Sequence, residues 1–237
     1  MKAFTRVENL IGSESLQILQ SSSVAVFGVG GVGGFICEAL VRSGIGEIAV
    51  FDSDVVDETN INRQIIATVD TVGKDKVEVI KERLLSINPA LKISTHKVFY
   101  LPENASQFDL SKYDYIVDAV DTVSAKIEII ARSKALGKSV ISCMGTGGKL
   151  QIEGLKVADV NQTSGCPLAR VMRRELKKRN ISGVKVVYSI EDAQKNCTNS
   201  CEESDRVPPS MIFVPAVAGL YIAREVVFDL INKKREN

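Results

Sequence analysis

The sequence predicts an α/β fold built on a doubly wound, mostly parallel sheet that carries a C-terminal elaboration of mixed strands and helices. Three observations lead there. Short apolar runs of strand length alternate with segments whose apolar residues recur at helical spacing. That alternation implies right-handed crossovers and a sheet covered on both faces. A glycine cluster, "VFGVGGVGG", stands where the first strand turns into the first helix. After Gly148 the rhythm changes, with two strand-like runs flanking a basic helix and a last helix after Pro215. With 237 residues, 45% hydrophobic and 25% charged, the chain can bury one large core. We therefore expect a single domain over 1–237, with a Rossmann-like core at about 20–145 and the elaboration at about 146–237.

Each element has its own signal. Ser21, Ser22 and Ser23 lead into "VAVFGVGGVGG", a buried-strand pattern that breaks into glycines, and "FICEALVRSG" reads as a helix stopped by Gly44. "EIAVFD" is the next strand and ends in Asp52. From Lys74, the residues Val77, Ile80, Leu84 and Ile87 fall at helical spacing until Asn88-Pro89 stops the helix, because a residue before proline avoids the helical region. "LKISTHKV" alternates as a strand and puts His96, the only histidine, opposite the Leu91/Ile93 face, where we expect it exposed and not acting as a general base. "YDYIVDAVD" is a strand with Asp121 at its end, followed by a helix at about 124–136 and the strand "KSVISCMG". In the elaboration, "KLQIEGLKVADV" and "GVKVVYSI" read as strands around the helix "PLARVMRRELKKR". The last helix sets Ala216, Ala218, Gly219 and Ala223 among large apolar residues, a pattern suited equally to ordinary core and to close packing on a second copy.

Bulk properties exclude several classes. Thirty basic residues face 29 acidic ones, so a nucleic-acid site has to be a local patch. The N-terminus lacks a continuous apolar core, and the longest apolar run, "MIFVPAVAGLYIA", contains Pro215 and falls short of the roughly 20 residues that span a membrane. A cytoplasmic protein without a membrane partner is expected. Five irregularly spaced cysteines read as reduced thiols. Cys37 is expected to pack in the first helix, Cys143 to end a buried strand, and Cys166 to precede Pro167. Cys197-x-x-x-Cys201 is a single loose pair that argues against a structural zinc site; a thioester role for either stays open, since it depends on the thiol pKa.

Gly28-x-Gly30-x-x-Gly33, after a strand and before a helix, lets backbone N–H groups and a helix N-terminus approach a phosphate. Asp52, at the end of the next strand, can accept from ribose hydroxyls. These features bind a nucleotide and leave NAD open. Arg63 and Lys76 favour a triphosphate, which needs cations at its oxygens. Asp121, at the carboxyl edge of the sheet, suits Mg²⁺ held between phosphates.

"VFGVGGVGG", "FDSDVVDETNINRQ", "VGKDKVEVIKERLLSINP" and "VDAVDT" together resemble the ubiquitin-activating-enzyme-like superfamily of ThiF-type adenylating proteins, over about residues 6–145. The resemblance implies adenylation of a carboxylate by ATP with Mg²⁺. It implies a phosphate turn of Gly28, Gly30, Gly31 and Gly33, a ribose contact at Asp52, phosphate contacts at Asn60, Arg63 and Lys76, and a metal contact at Asp121. Asp54 and Gln64, in the same polar segment, are placed with them at the nucleotide. Members of this family are homodimers in which an arginine near the N-terminus reaches the partner's nucleotide, and Arg6 is the candidate. "CPLARVMRRELKKRNISGVKVVYS" and "RVPPSMIFVPAVAGLYIAREVV" are similar to the tRNA threonylcarbamoyladenosine dehydratases, which activate a threonyl carboxylate in tRNA and close it into a ring with loss of water.

That branch needs a surface for RNA. Arg170, Arg173, Arg174, Lys177, Lys178 and Arg179 crowd one helix around a single acid, Glu175, while Leu168, Val171, Met172 and Leu176 form its apolar stripe. A solvated face of a core helix is the plain alternative. Three other functions stay open: adenylation of the C-terminus of a ubiquitin-like sulfur carrier, a redox protein binding NAD, and a non-catalytic tRNA-binding module. A sulfur-transfer protein remains a possible partner. The segment from Glu191 to Pro209, rich in charge, Asn and Ser, reads as a loop that orders over substrate.

Overall fold

Runs of β-branched and small apolar residues build the sheet of the computed structural model, which describes residues 2–194 and 208–235. The strands are β1 (Ser23–Phe27), β2 (Glu47–Asp52), β3 (Lys92–Lys97), β4 (Tyr115–Asp118), β5 (Ser139–Cys143), β6 (Leu155–Asp159) and β7 (Lys185–Ser189). They form one seven-stranded sheet in the order β3-β2-β1-β4-β5-β7-β6. Every neighbouring pair is parallel except β6 with β7. Ala25 of β1 pairs with Ala49 of β2 on one side and Ile116 of β4 on the other. The winding reverses between β1 and β4, and the crevice beyond their carboxyl ends is where ligands of such sheets bind.

The helices are α1 (Thr5–Ile11), α2 (Ser13–Gln20), α3 (Gly33–Arg42), α4 (Lys76–Ile87), α5 (Val123–Ala135), α6 (Pro167–Lys178) and α7 (Phe213–Arg235). Strand alternation divides the core into two layers. Val24 and Val26 face a layer with Leu40, Ile80 and Val226, from α3, α4 and α7. Ala25 and Phe27 face the other, with Ile130 and Met172 from α5 and α6. Each fully buried Leu or Ile here contributes about 1.5–3 kcal/mol relative to exposure.

The small residues of the last helix are used inside the chain. A Cβ at Gly219 would stand 2.7 Å from the Val32 carbonyl and 3.0 Å from Phe35 Cβ, so α7 closes directly on α3. Ala218 and Ala223 are buried in the same layer. The helix starts at Phe213, ahead of Pro215, because a proline in the first turn lacks only an N–H that would have no partner there.

Other boundaries also differ from expectation. Strand β4 ends at Asp118, which leaves Asp121 in the turn beyond it, and β6 takes only the last part of "KLQIEGLKVADV". The helices α1 and α2 carry no clear periodic signal, yet α2 buries Leu16 and Leu19. His96 is not exposed. Its ring stacks on Phe51 at 4.3 Å and meets Phe108 edge-on, so aromatic side chains cover this end of the face while Lys92 and Ser94 on the same face stay exposed. Burial, then the nearby Lys112 charge, lowers its pKa, which favours the neutral imidazole.

Cys37, Cys143 and Cys166 are buried free thiols, and burial pushes Cys37 and Cys143 up to about 12. They are inert as nucleophiles. Cys197, Cys201 and most of the segment 191–209 lie outside the described residues. Among the described residues, no helix is long and apolar enough to cross a membrane.

Candidate active site

The glycines after β1 carry two separate duties. Gly28 has φ +87°, and a Cβ there would stand 2.7 Å from the Ala119 carbonyl; at Gly33, the first residue of α3, a Cβ would overlap the Gly28 carbonyl at 1.8 Å. These two let the turn fold. A Cβ at Gly31 would make ordinary contact at 3.5 Å with Arg63 and Pro215, whereas at Gly30 the nearest atom is Gln64 Nε2 at 3.9 Å, so there the missing side chain leaves room for a ligand. That space is a cavity of about 360 Å³ at the carboxyl ends of β1, β2 and β4. It is lined by Gly28, Gly30, Gly31, Asp52, Asp54, Asn60, Arg63, Gln64, Lys76 and Asp121, which brings together nearly all the expected site residues. Gly33 shapes the turn from behind. Arg6 is exposed on α1 and is not part of the lining.

Asp52 ties the glycine turn to the second strand. Its Oδ2 accepts from Val29 N–H at 2.6 Å and its Oδ1 from Asp54 N–H at 2.9 Å. Burial raises its pKa, against those two bonds and the Lys76 charge. Each oxygen keeps a further lone pair for a hydroxyl.

The polar segment after β2 folds around Asp57, whose carboxylate accepts from Thr59 N–H at 2.9 Å while Asn60 Oδ1 accepts from Asp57 N–H at 3.3 Å. This short turn aims Arg63 at the cavity. Arg63 Nη1 donates to the Thr59 carbonyl at 2.8 Å and to Asn62 Oδ1 at 2.9 Å. Both acceptors are neutral, and no carboxylate pairs with Arg63 among the described residues, so its full charge faces the ligand space. Asn62 Nδ2 also donates to the Ser210 carbonyl at 2.8 Å, joining this segment to the approach of α7.

Lys76 opens α4 and is only 5% exposed. Its Nζ lies 2.8 Å from Asp54 Oδ2. Burial alone would raise the Asp54 pKa, but the hydrogen bond and charge of Lys76 outweigh it and bring it below the usual value. Gln64 is a buried residue of the cavity lining, and its Oε1 has no hydrogen-bond partner among the described residues.

Asp121 is exposed at the rim and, among the described residues, accepts only from Thr122 Oγ1, at 3.3 Å. Asp52 and Asp54 are already engaged, which leaves Asp121 as the lining acid open to a cation. Among the described residues, no group of three or more His, Cys, Asp or Glu is placed to hold a metal ion. A divalent ion carried in on phosphates would need only one protein carboxylate, and Asp121 could supply it.

Sequence reasoning missed the apolar wall of Phe27, Phe51, Val98, Phe99 and Tyr100 beside Asp52, and the polar rim of Thr146 and Ser210. The wall reads locally as ordinary strand and strand-end, and the rim residues carry no local signal. On α6, Met172 and Leu176 are buried as expected, and Arg173 is tied to the Thr163 carbonyl and hydroxyl. Glu175 gathers Lys178, Arg179 and Arg174, whose hydrogen bonds hold its pKa at about 2. Arg170 and Lys177 are exposed, with no ion pair among the described residues.

The model of the ThiF family matches residues 4–237. The chain belongs to the ThiF family. Within the family it is 41% identical to the tRNA threonylcarbamoyladenosine dehydratase of Bacillus subtilis, over 97% of this chain and 94% of that one. It is 36% identical to the Escherichia coli protein of the same name, over 79% of this chain and 73% of that one. The crystal structure of the E. coli protein in complex with ATP is similar over 100% of this chain and 96% of that one, at 30% identity and a TM-score of 0.90. The seven-stranded, mostly parallel architecture is thus that of a ThiF-family protein with its elaboration included.

Proposed function

We propose that this protein is an ATP-dependent tRNA threonylcarbamoyladenosine dehydratase: it adenylates the threonyl carboxylate of the modified adenosine and promotes ring closure with net loss of water. One observation carries the chemistry: among the described residues the Arg63 guanidinium is held by neutral acceptors alone beside the glycine turn, with Lys76 in the same cavity. The B. subtilis and E. coli relatives carry this activity in their names, and the E. coli one binds ATP.

The carboxylate attacks the α-phosphorus and pyrophosphate leaves. Negative charge grows on the α-phosphoryl oxygens during attack, so groups that meet it there lower the barrier more than groups that merely hold the ground state. Arg63 and Lys76 supply positive charge, Asn60 and the turn's backbone supply N–H donors, and Asp52 orients the ribose. The acyl-adenylate then loses AMP as the ring closes. Mg²⁺, held by Asp121 and phosphate oxygens, would neutralise charge on the triphosphate.

Exposed cations on α6, Arg170 and Lys177 foremost, are the proposed tRNA contact. A homodimer is supported by Phe213, Leu220, Tyr221 and Phe228, large apolar residues left exposed along α7. Light scattering of Leu220→Asp reads whether that face pairs two copies, and Arg6 would then serve the partner's nucleotide. We further propose that 1–237 acts as one cytoplasmic unit, the Rossmann-like core binding nucleotide and the elaboration binding substrate.

Nucleoside mass spectrometry of modified tRNA incubated with ATP tests the reading. Arg63→Ala and Asp121→Ala should each abolish the ring-closed product while keeping the native circular dichroism. Pyrophosphate release with a sulfur-carrier protein, and none with modified tRNA, would replace this function with carrier adenylation.

A further inference from the structure

Beneath the cavity floor lies a polar cluster out of reach of solvent. Asp118 at the end of β4, Lys126 on α5 and Ser142 on β5 are each 0% exposed. Lys126 Nζ sits 3.2 and 3.1 Å from the two Asp118 oxygens and donates to the Val120 carbonyl at 2.8 Å. Asp118 also accepts from Ser142 Oγ and from Val120 N–H. An ion pair buried this deeply is costly to desolvate, and packed apolar residues would stabilise the fold as well or better. Its geometry, more than its energy, distinguishes it.

What the cluster grips is one turn. Both the N–H and the C=O of Val120 are held, and Asp121 follows directly. Because Asp121 makes no side-chain bond beyond Thr122 among the described residues, the backbone of residues 119–122 decides where its carboxylate stands. The same turn abuts the glycine turn: Ala119 N–H donates to the Phe27 carbonyl at 2.8 Å, and the Ala119 carbonyl fills the place a Gly28 side chain would take.

We infer that Lys126 is a positioning residue: with Asp118 it clamps the 119–122 turn and so sets Asp121 at the spacing from the glycine turn that a phosphate-borne Mg²⁺ requires. The inference rests on the proposed nucleotide chemistry and extends it to residues that touch no ligand.

Calorimetry of the full chain with a non-hydrolysable ATP analogue, with and without Mg²⁺, tests it. Lys126→Met and the neutral pair Asp118→Asn/Lys126→Gln are compared with wild type and Asp121→Ala, each after circular dichroism and thermal melting. In both folded variants the affinity gained on adding Mg²⁺ should fall at least tenfold, to the level of Asp121→Ala, with Mg²⁺-free affinity within threefold of wild type. A folded variant with the full Mg²⁺-dependent gain overturns the inference, and so does one that loses both affinities equally, since that is plain distortion. If Asp121→Ala keeps the gain, the metal reading fails and takes the inference with it; if only the Lys126 variants keep it, the inference alone fails. Should both variants fail to fold, Ser142→Ala decides: a partial loss of the Mg²⁺-dependent gain supports the clamp, and no loss refutes it.

Discussion

Lys76 is almost fully buried, yet its Nζ rests 2.8 Å from a carboxylate, Asp54, whose side chain is 59% exposed. The partner is thus a hydrated group at the rim that can turn away, while the ammonium is fixed by the start of α4. A buried cation whose partner stands at the exposed rim suits a site that must receive phosphate. Lys76→Met is expected to lower ATP-dependent ring closure by about 10²–10³-fold, the usual effect of losing one group that meets transition-state charge. Single-turnover assays read this directly, and turnover within a factor of three of wild type would remove Lys76 from the chemistry.

The glycine turn predicts a contrast between neighbours. Gly28→Ala combines positive φ with a collision against the Ala119 carbonyl and should cost about 1–3 kcal/mol of stability. Gly30→Ala has room for its methyl, which then occupies phosphate space, so its unfolding midpoint should stay close to wild type while nucleotide affinity falls tenfold or more. Chemical denaturation and nucleotide titration of the two proteins separate these roles.

On α6 the charges are not equivalent. Glu175 offsets only one of the three cations it engages, Arg174, Lys178 and Arg179, and Thr163 holds Arg173 in place through neutral acceptors, so the helix stays strongly positive and Arg170 and Lys177 are its exposed cations with no ion pair among the described residues. Arg170→Glu and Lys177→Glu should each weaken tRNA binding and make the dependence of log affinity on log salt shallower, by about 1 for every phosphate the native side chain neutralises. Thermal stabilisation by ATP should be unaffected. An unchanged salt slope in both would turn attention from α6 to another surface.

Acid sensitivity is expected at Glu38, buried between α3 and α4. Burial raises its pKa, but the hydrogen bonds and charges of Arg83 and Arg42 outweigh this and bring it below the usual carboxylate value. A depressed folded pKa stabilises the protein above the unfolded value of about 4, and that contribution is lost as pH falls through the folded one. Glu38→Gln should therefore melt lower than wild type at pH 7, with the two melting curves converging below about pH 4. Parallel curves across that range would contradict the assignment.

Much of the site was readable because its signals are local. "FDSDVVDETNINRQ" carries acids, asparagines and an arginine behind the second strand, its resemblance to the adenylating family put Asp52, Asn60 and Arg63 at the nucleotide, and the structure folds the segment around Asp57 at the cavity. Other residues were hidden by their ordinariness. Asp118 lies within an apolar strand run and Lys126 within a helix, and nothing in either stretch says that they meet, or that Ser142 of β5 joins them. His96 shows the limit of alternation, which assigns a side chain to a face but not what covers that face.

By itself, the sequence determined the alternation of strands and helices, the glycine turn and the cationic segment behind the second strand. Steric limits on the backbone and the periods of strand and helix act between near neighbours, so they are written in short stretches of residues. Only the tertiary structure decided that α7 uses its small residues against α3, that Thr146 and Ser210 from the elaboration reach the cavity rim, and that a buried ion pair grips the turn before Asp121. The first two join elements far apart in the chain, and the ion pair, whose partners lie eight residues apart, is sealed only when the sheet packs around it, so all three follow from how the sheet orders and packs its layers as a whole.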